Sequence, residues 1–391
     1  MKNQITFVLC VVTAFCPSSR SQTITVVGDE ASASASSSPA AFVYVARTVS
    51  GGSENEIDGF AAAANGKLTR VAGSPFQENV KSIAESGKFL FATNSEGTQI
   101  EAFRIESNGA LRYATTTEVD PASQSGTLGP LFLDRIGESL YDTESNVGAY
   151  GNYTYQSFAV DNPIGGLKST GSSIANSWLN LPASFIANNL YAYSATCLQN
   201  MYWGIFGFKR SSSGLLKDID PQATTPAGRN GDFYCPSLTA TDLSNHVAIS
   251  MQPIGQTDFA PDGAAQLATY TAHSGGTLTT ASTLANMPTV SVGSVKDLSM
   301  APSGKLLAVA GSGGLEVFHF NGAEPITHDT GLLTKDAIDQ IVWDNTNHLY
   351  AISRAAGKLF VFTVSPTSYK QAPGSPYSIE SPQNIVVQPE L

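Results

Sequence analysis

The chain has 391 residues, 42% hydrophobic and 14% charged, with 35 Gly and 20 Pro. Its 21 basic and 32 acidic side chains give a formal net charge of -11, and no Lys/Arg run is dense enough to follow a phosphate backbone, which argues against nucleic acid as a partner. The apolar content suffices for a large core, arranged either as two or three domains or as one repeat domain.

The N-terminus reads as an export signal. One positive charge at Lys2 precedes an apolar run from Ile5 to Phe15, and Ser19 and Ser21 stand at the spacing a signal peptidase reads, so residues 1–21 are predicted to be a removed signal peptide. The run is too short to span a bilayer comfortably, and no transmembrane helix is expected in the mature chain. Cys16 offers a lipid anchor as the alternative, although Phe15 is bulky where a lipobox carries a small residue. Residues 22–40, including ASASASSSPA from Ala31, form a Ser/Ala-rich linker that cannot build a core. The expected location is a periplasm or the cell exterior. There Cys197 and Cys235, the cysteines left in the mature chain, are expected to form a disulfide. No Cys-x-x-Cys or His/Cys cluster marks a metal site, and no cofactor is expected.

From Ala41 onward the chain repeats itself. AFVYVART is an apolar strand, followed by IDGF at Ile57 and the turn NGKL at Asn65. A fuller phrase then begins with SIAESGKFLFATN from Ser82, two apolar strands about a Gly turn, and continues with IEAF at Ile100 and NGAL at Asn108. It returns as FLDRIGESLYDTE (Phe132), YQSF (Tyr155) and GGL (Gly165), then as SFIANNLYAYSA (Ser184), IFGF (Ile205) and SGLL (Ser213). SLTATDLSNHVAIS (Ser237), LATY (Leu267) and GGTL (Gly275) make the next copy, and LSMAPSGKLLAVAG (Leu298) with LEVF (Leu315) another. IVWDNTNHLYAISR (Ile341) and LFVF (Leu359) make the last. Each copy supplies about four short strands bounded by Gly, Asn, Ser and Pro, with no sustained helical period, which is the pattern of a propeller blade. The predicted fold is all-β, a seven-bladed β-propeller of four-stranded antiparallel blades over residues 41–391. The first copy lacks its opening strand, while PQNIVVQPEL at the C-terminus is an opening strand alone. Asn384 to Gln388 are therefore predicted to lie innermost in the blade containing Phe42 to Ala46, closing the ring.

AFVYVART, IDGF, NGKLTRVAGSPF and the terminal GSPY…SPQNIVVQP resemble the bacterial lactonase-type, or YVTN-repeat, seven-bladed β-propellers, over essentially all of 41–391. The resemblance implies the fold and, for some members, an activity like that of 6-phosphogluconolactonase. Catalytic relatives often carry Pro-Arg-His entering an inner strand and Pro-Asp-Gly at its turn. The best match here is VKDLSMAPSG from Val295, where Lys296 stands in place of Arg, Asp297 in place of His, and Ser303 in place of the turn Asp. Lactone hydrolysis needs a base for water and a cation or donor for the oxyanion, and Lys296 and Asp297 are the candidates. Without the imidazole, Asp297 needs a raised pKa to serve as base.

In a propeller, the loops entering the inner strands and the loops between second and third strands share one face. Lys81, Asp339 and Gln383 begin inner strands and are candidates to surround the channel mouth with Lys296 and Asp297. The second-to-third-strand loops are long in blades one (RTVSGGSENE), three (DTESNVGAYGNY) and five (SMQPIGQTDFAPDGAAQ), and blade four adds CLQNMYW. Tyr150, Tyr153, Tyr202, Trp203 and Phe259 are candidates for an aromatic rim on which a flat or sugar-like ligand stacks. The five His residues fall at turns or outer positions and read as packed or solvated. No Gly-x-Ser-x-Gly elbow, Walker loop or dinucleotide fingerprint occurs in a supporting context. The leading expectation is a monomeric binding or interaction module for a small polar molecule, a saccharide or a protein; the alternative is a lactone hydrolase.

Overall fold

The two ends of the repeat region meet. In the computed structural model, Pro382–Pro389 runs antiparallel to Ala41–Thr48, with Phe42 opposite Gln388, Tyr44 opposite Val386 and Ala46 opposite Asn384. This is the predicted clasp, with Asn384 to Gln388 innermost beside Phe42 to Ala46. The structure describes residues 38–49, 55–78, 80–119, 128–146, 152–174, 181–198, 202–256 and 260–389. The predicted signal peptide, all but the last three linker residues, Tyr150 and Phe259 lie outside them.

Seven sheets follow one another around the ring, each with four principal strands ordered from inside to outside. The innermost strands are Pro382–Pro389 for blade one, then Val80–Ser86, Leu131–Leu133, Ser184–Phe185, Phe233–Thr241, Val295–Met300 and Gln340–Trp343 for blades two to seven. Blade seven carries a further short strand, Tyr377–Ser378, paired with Lys358–Ser365. No described helix is long and apolar enough to cross a membrane.

The repeated apolar-x-x-aromatic phrase has a physical reason. Residues three apart on a strand point to opposite faces of the sheet. Each blade is packed on both faces, so one member of the phrase meets the following blade and the other meets the preceding one. Leu315 packs with Ile341 and Leu349 of blade seven, whereas Phe318 packs with Ala248 and Leu267 of blade five. Ile57 and Phe60, Ile100 and Phe103, Tyr155 and Phe158, and Leu359 and Phe362 divide in the same way. So do Ile205 and Phe208, and Leu267 and Tyr270. The described apolar side chains accordingly form seven cores, one for each junction between neighbouring blades. Second strands serve both sides too, which is why Leu306–Gly311 is buried at every position. A run without alternation is what a sheet covered on both faces requires.

Polar anchors fix the spacing between blades. Tyr44 donates to the Gly109 carbonyl (2.8 Å), Tyr141 to Gly214 (2.8 Å) and Tyr193 to Gly276 (2.9 Å), each reaching the third-to-outer turn of the next blade. Those turns need glycine twice over. Gly109 has φ +80°, and a Cβ there would stand 2.4 Å from the Phe42 ring. At the inner turns of blades five and seven, His246 and His348 each approach an Asp four residues earlier, Asp242 and Asp344, at 2.7 Å. Asp344 also accepts the backbone N–H groups of Thr346 and His348, so this carboxylate organises the turn.

Removing residues 382–391 would strip the ladder partner from Ala41–Thr48 and take Ile385 and Val387 out of the core between blades seven and one. Buried aliphatic losses of this kind cost about 2–5 kcal/mol each. The truncated chain is expected to aggregate or to lose cooperative melting in size-exclusion and calorimetric measurements. A monomeric truncation with unchanged Tm would overturn the role of the clasp.

Candidate functional site

Inner strands face the channel, where one edge of each has no sheet neighbour, so their backbone N–H groups need other partners. A recurring position supplies them. Asn384, Ser82, Asp297 and Gln340 each precede a core residue of an inner strand, and each accepts a hydrogen bond from the next blade. Ile83 N–H donates to Asn384 Oδ1 (2.8 Å), Leu131 N–H to Ser82 Oγ (3.1 Å), Ile341 N–H to Asp297 Oδ2 (2.8 Å) and Ile385 N–H to Gln340 Oε1 (2.9 Å). Asp297 is thus one member of an inter-blade ring of short polar side chains. Its second oxygen, Oδ1, accepts the N–H of Leu298 at 2.8 Å. Burial pushes its carboxyl up to about 6, against the pull of the Ile341 and Leu298 N–H groups.

The neighbouring charges form a line across three blades. Lys296 Nζ lies 2.7 Å from Asp339 Oδ1, and Asp339 Oδ2 accepts the backbone N–H of Arg354 at 2.8 Å. Arg354 Nη2 donates to the Gln383 carbonyl (2.7 Å), and Gln383 Nε2 donates to the Ser381 carbonyl (3.0 Å). Burial acts to raise the Asp339 carboxyl, but Lys296 and Arg354 outweigh it and hold it below the usual carboxylate range. The structure therefore brings Lys296, Asp339 and Gln383 into one network, with Asp297 beside Lys296 in sequence but engaged separately. Lys81 lies exposed on the inner strand of blade two. At blade one the charges are paired as well. Arg47 meets Glu56, Asp58 (3.1 Å) and Glu380 (3.5 Å), and Arg70 meets Asp58.

Cys197, near the end of Tyr191–Leu198, is bonded to Cys235, near the start of Phe233–Thr241, with Cα atoms 5.2 Å apart. The predicted disulfide joins neighbouring blades four and five. Of the proposed aromatic rim, Tyr153 falls on Asn152–Asp161, while Tyr202 and Trp203 open Tyr202–Arg210, where Trp203 pairs with Cys197 through the backbone ladder.

Next to the disulfide, blade five opens into a cleft of about 590 Å³. Phe233 and Tyr234 come from its inner strand, Pro253 from the second, Gln266 from the third, and Leu284 from the segment leading to blade six. Arg229, Asp232 and Asp262 bring charge to the same walls. Among the described residues none of these three side chains has an ion pair or hydrogen bond. Sequence reasoning missed this group, as it missed Arg354 and Gln340. The available signal was TPAGRNGDFY from Thr225, charged residues about glycines where the chain enters an inner strand next to a long loop.

No protein-family model matches the chain, and no curated protein matches it. Among solved structures, it is similar to a candidate 6-phosphogluconolactonase from Bacteroides fragilis, at 15% identity and TM-score 0.64 over 90% of this chain and 99% of that one. A second such candidate, from Bacteroides uniformis, gives 13% and 0.63 over 90% and 100%. A periplasmic gluconolactonase from Pseudomonas aeruginosa gives 14% and 0.61 over 89% and 99%. At these identities the likeness carries the fold, and it agrees with the lactonase-type propeller resemblance read from the sequence.

The raised Asp297 carboxyl makes a signed prediction. Between about pH 4 and 6 the folded chain keeps a proton there that the unfolded chain has released, so this group favours folding in acid and the advantage is lost as pH rises through 6. Asp297→Asn removes that titration. Its urea midpoint relative to wild type is expected to rise from pH 4 to pH 7; a pH-independent difference would contradict the assignment.

Proposed function

We propose that this is an exported β-propeller that binds a small polar ligand through its loop-decorated face, without turning it over. The observation that supports the reading is the contrast across that face. At the channel mouth the candidate base is held by two backbone N–H groups, and the candidate cation is paired with Asp339. In the blade-five cleft, Arg229, Asp232 and Asp262 have no ion pair or hydrogen bond among the described residues. Paired groups must give up existing partners to meet a substrate, whereas unpaired ones gain partners on binding. Export is supported by the disulfide, a bond that persists in oxidising compartments.

A second reading, lactone hydrolysis, draws on one specific observation. Asp297 is held near 6, close to the range in which a carboxylate serves as a general base at neutral pH, and Lys296 precedes it. Both readings can be tested with glucono-δ-lactone and 6-phosphogluconolactone, following acid release in a pH-stat. The expected result is no acceleration over buffer by the purified mature chain. Hydrolysis abolished by Lys296→Ala with Asp297→Asn would replace the binding reading by the hydrolase. Hydrolysis surviving both substitutions would place an active site elsewhere on the molecule.

A further inference from the structure

Resting on that binding reading, we propose that the blade-five cleft is a saccharide site, suited to neutral or amino sugars and closed to phosphorylated or carboxylated ones. The argument starts from charge. Arg229, Asp232 and Asp262 line the same cleft, one cation with two carboxylates, and among the described residues none of the three side chains has an ion pair or hydrogen bond. A polyanionic ligand would gain one guanidinium and meet two carboxylates. A simple cation would have the guanidinium against it. Hydroxyl groups satisfy both signs at once, because each O–H donates to a carboxylate while its oxygen accepts from a guanidinium. Paired hydroxyls on adjacent ring carbons present both functions side by side, and an amino group adds a charge that the two carboxylates favour.

The walls fit the rest of a sugar. Phe233, Pro253 and Leu284 supply an apolar side on which the C–H face of a ring can lie. The volume of about 590 Å³ falls within the roughly 300–1,000 Å³ range of small-molecule clefts. The Arg229 charge also acts on the Tyr234 hydroxyl, opposing the burial that raises it.

The cleft is also built before any ligand arrives. Tyr234 donates its hydroxyl to Gln266 Oε1, and Gln266 Nε2 donates to the Met287 carbonyl at 2.8 Å. Gln266 pairs through its backbone with Thr289, which ties the segment leading to blade six onto the third strand. On the opposite wall, Gln252 Nε2 donates to the Gly263 carbonyl (2.9 Å), and Ile254 bridges to Pro261. The disulfide fixes Cys235, the residue after Tyr234, to blade four. Walls already fixed by hydrogen bonds and a covalent link lose little freedom on binding, which favours recognition of weakly attractive neutral ligands.

The test is calorimetric titration of the full mature, oxidised chain with cellotetraose, maltotetraose, mannotetraose and chitosan tetramer, with 6-phosphogluconate as the anionic control. At least one tetrasaccharide is expected to bind with Kd below about 1 mM while 6-phosphogluconate does not. Arg229→Ala, and separately Asp232→Asn with Asp262→Asn, are each expected to weaken binding about tenfold or more, the effect of losing a hydrogen bond to a charged group. Arg229 and Asp262 are exposed, and an unchanged Tm in Arg229→Ala and Asp262→Asn checks that the effect is local. Tighter binding of 6-phosphogluconate than of every tetrasaccharide would overturn the proposal. So would tetrasaccharide binding that survives the cleft substitutions but is lost in Lys296→Ala with Asp339→Asn, although that result would leave the wider binding reading standing. Absence of binding by all five probes, together with lactone turnover, would remove both.

Discussion

The pairing of Pro382–Pro389 with Ala41–Thr48 is the constraint on which the rest of the molecule depends. A ring of sheets has no natural end, and any two blades left unjoined would expose an apolar face as well as an unpaired edge. By drawing strands from both ends of the repeat region, blade one closes the seam. The core between blades seven and one then forms from Val43, Val45, Ile385 and Val387 against Tyr350, Ile352 and Val361, in the same manner as the others. Everything on the decorated face inherits its position from that closure, because each inner strand is located by the blades on both sides.

Closure also explains the polar ring around the channel. Inner strands have one edge without a sheet neighbour, and a side chain from the adjacent blade supplies a hydrogen-bond acceptor there. Asn, Ser, Asp and Gln all do this work at equivalent positions, in Asn384, Ser82, Asp297 and Gln340. The variety shows that geometry sets the requirement, with the chemical type free to differ. Asp297 is the member that can ionise, and its elevated pKa follows from occupying a place that an uncharged side chain fills in three other blades. The same elevated carboxyl gives the hydrolase reading its best support, so one physical fact feeds two functional accounts.

How much of this was legible in the sequence depends on which force sets each feature. The blades were readable because packing on both faces imposes a rule at every copy, an apolar residue and an aromatic three apart, and Ile57/Phe60 through Leu359/Phe362 obey it. The clasp was readable because the terminal strand matched the half-copy that Ala41 lacks. The disulfide was readable because Cys197 and Cys235 are the two cysteines left once the export segment is set aside. Arg354 escaped notice because it follows the last residue of a second strand and reaches the mouth only through the folded bend at 354–357. Arg229 and Asp232 escaped for a related reason. They lie in an irregular segment where no period constrains direction, and only the course of the chain brings them beside Asp262.

The clasp has a mechanical side. Ala41 lies directly opposite Pro389, so tension applied through the two ends of the chain would load this ladder in an unzipping direction, one rung at a time, instead of shearing all rungs together. On another part of the ring, the Cys197–Cys235 link encloses a loop with a sequence separation of 38 and keeps it from paying out under the same load. The molecule would therefore yield first at the seam and keep blades four and five bound to each other longest, a directional weakness in a fold whose repeats are otherwise alike.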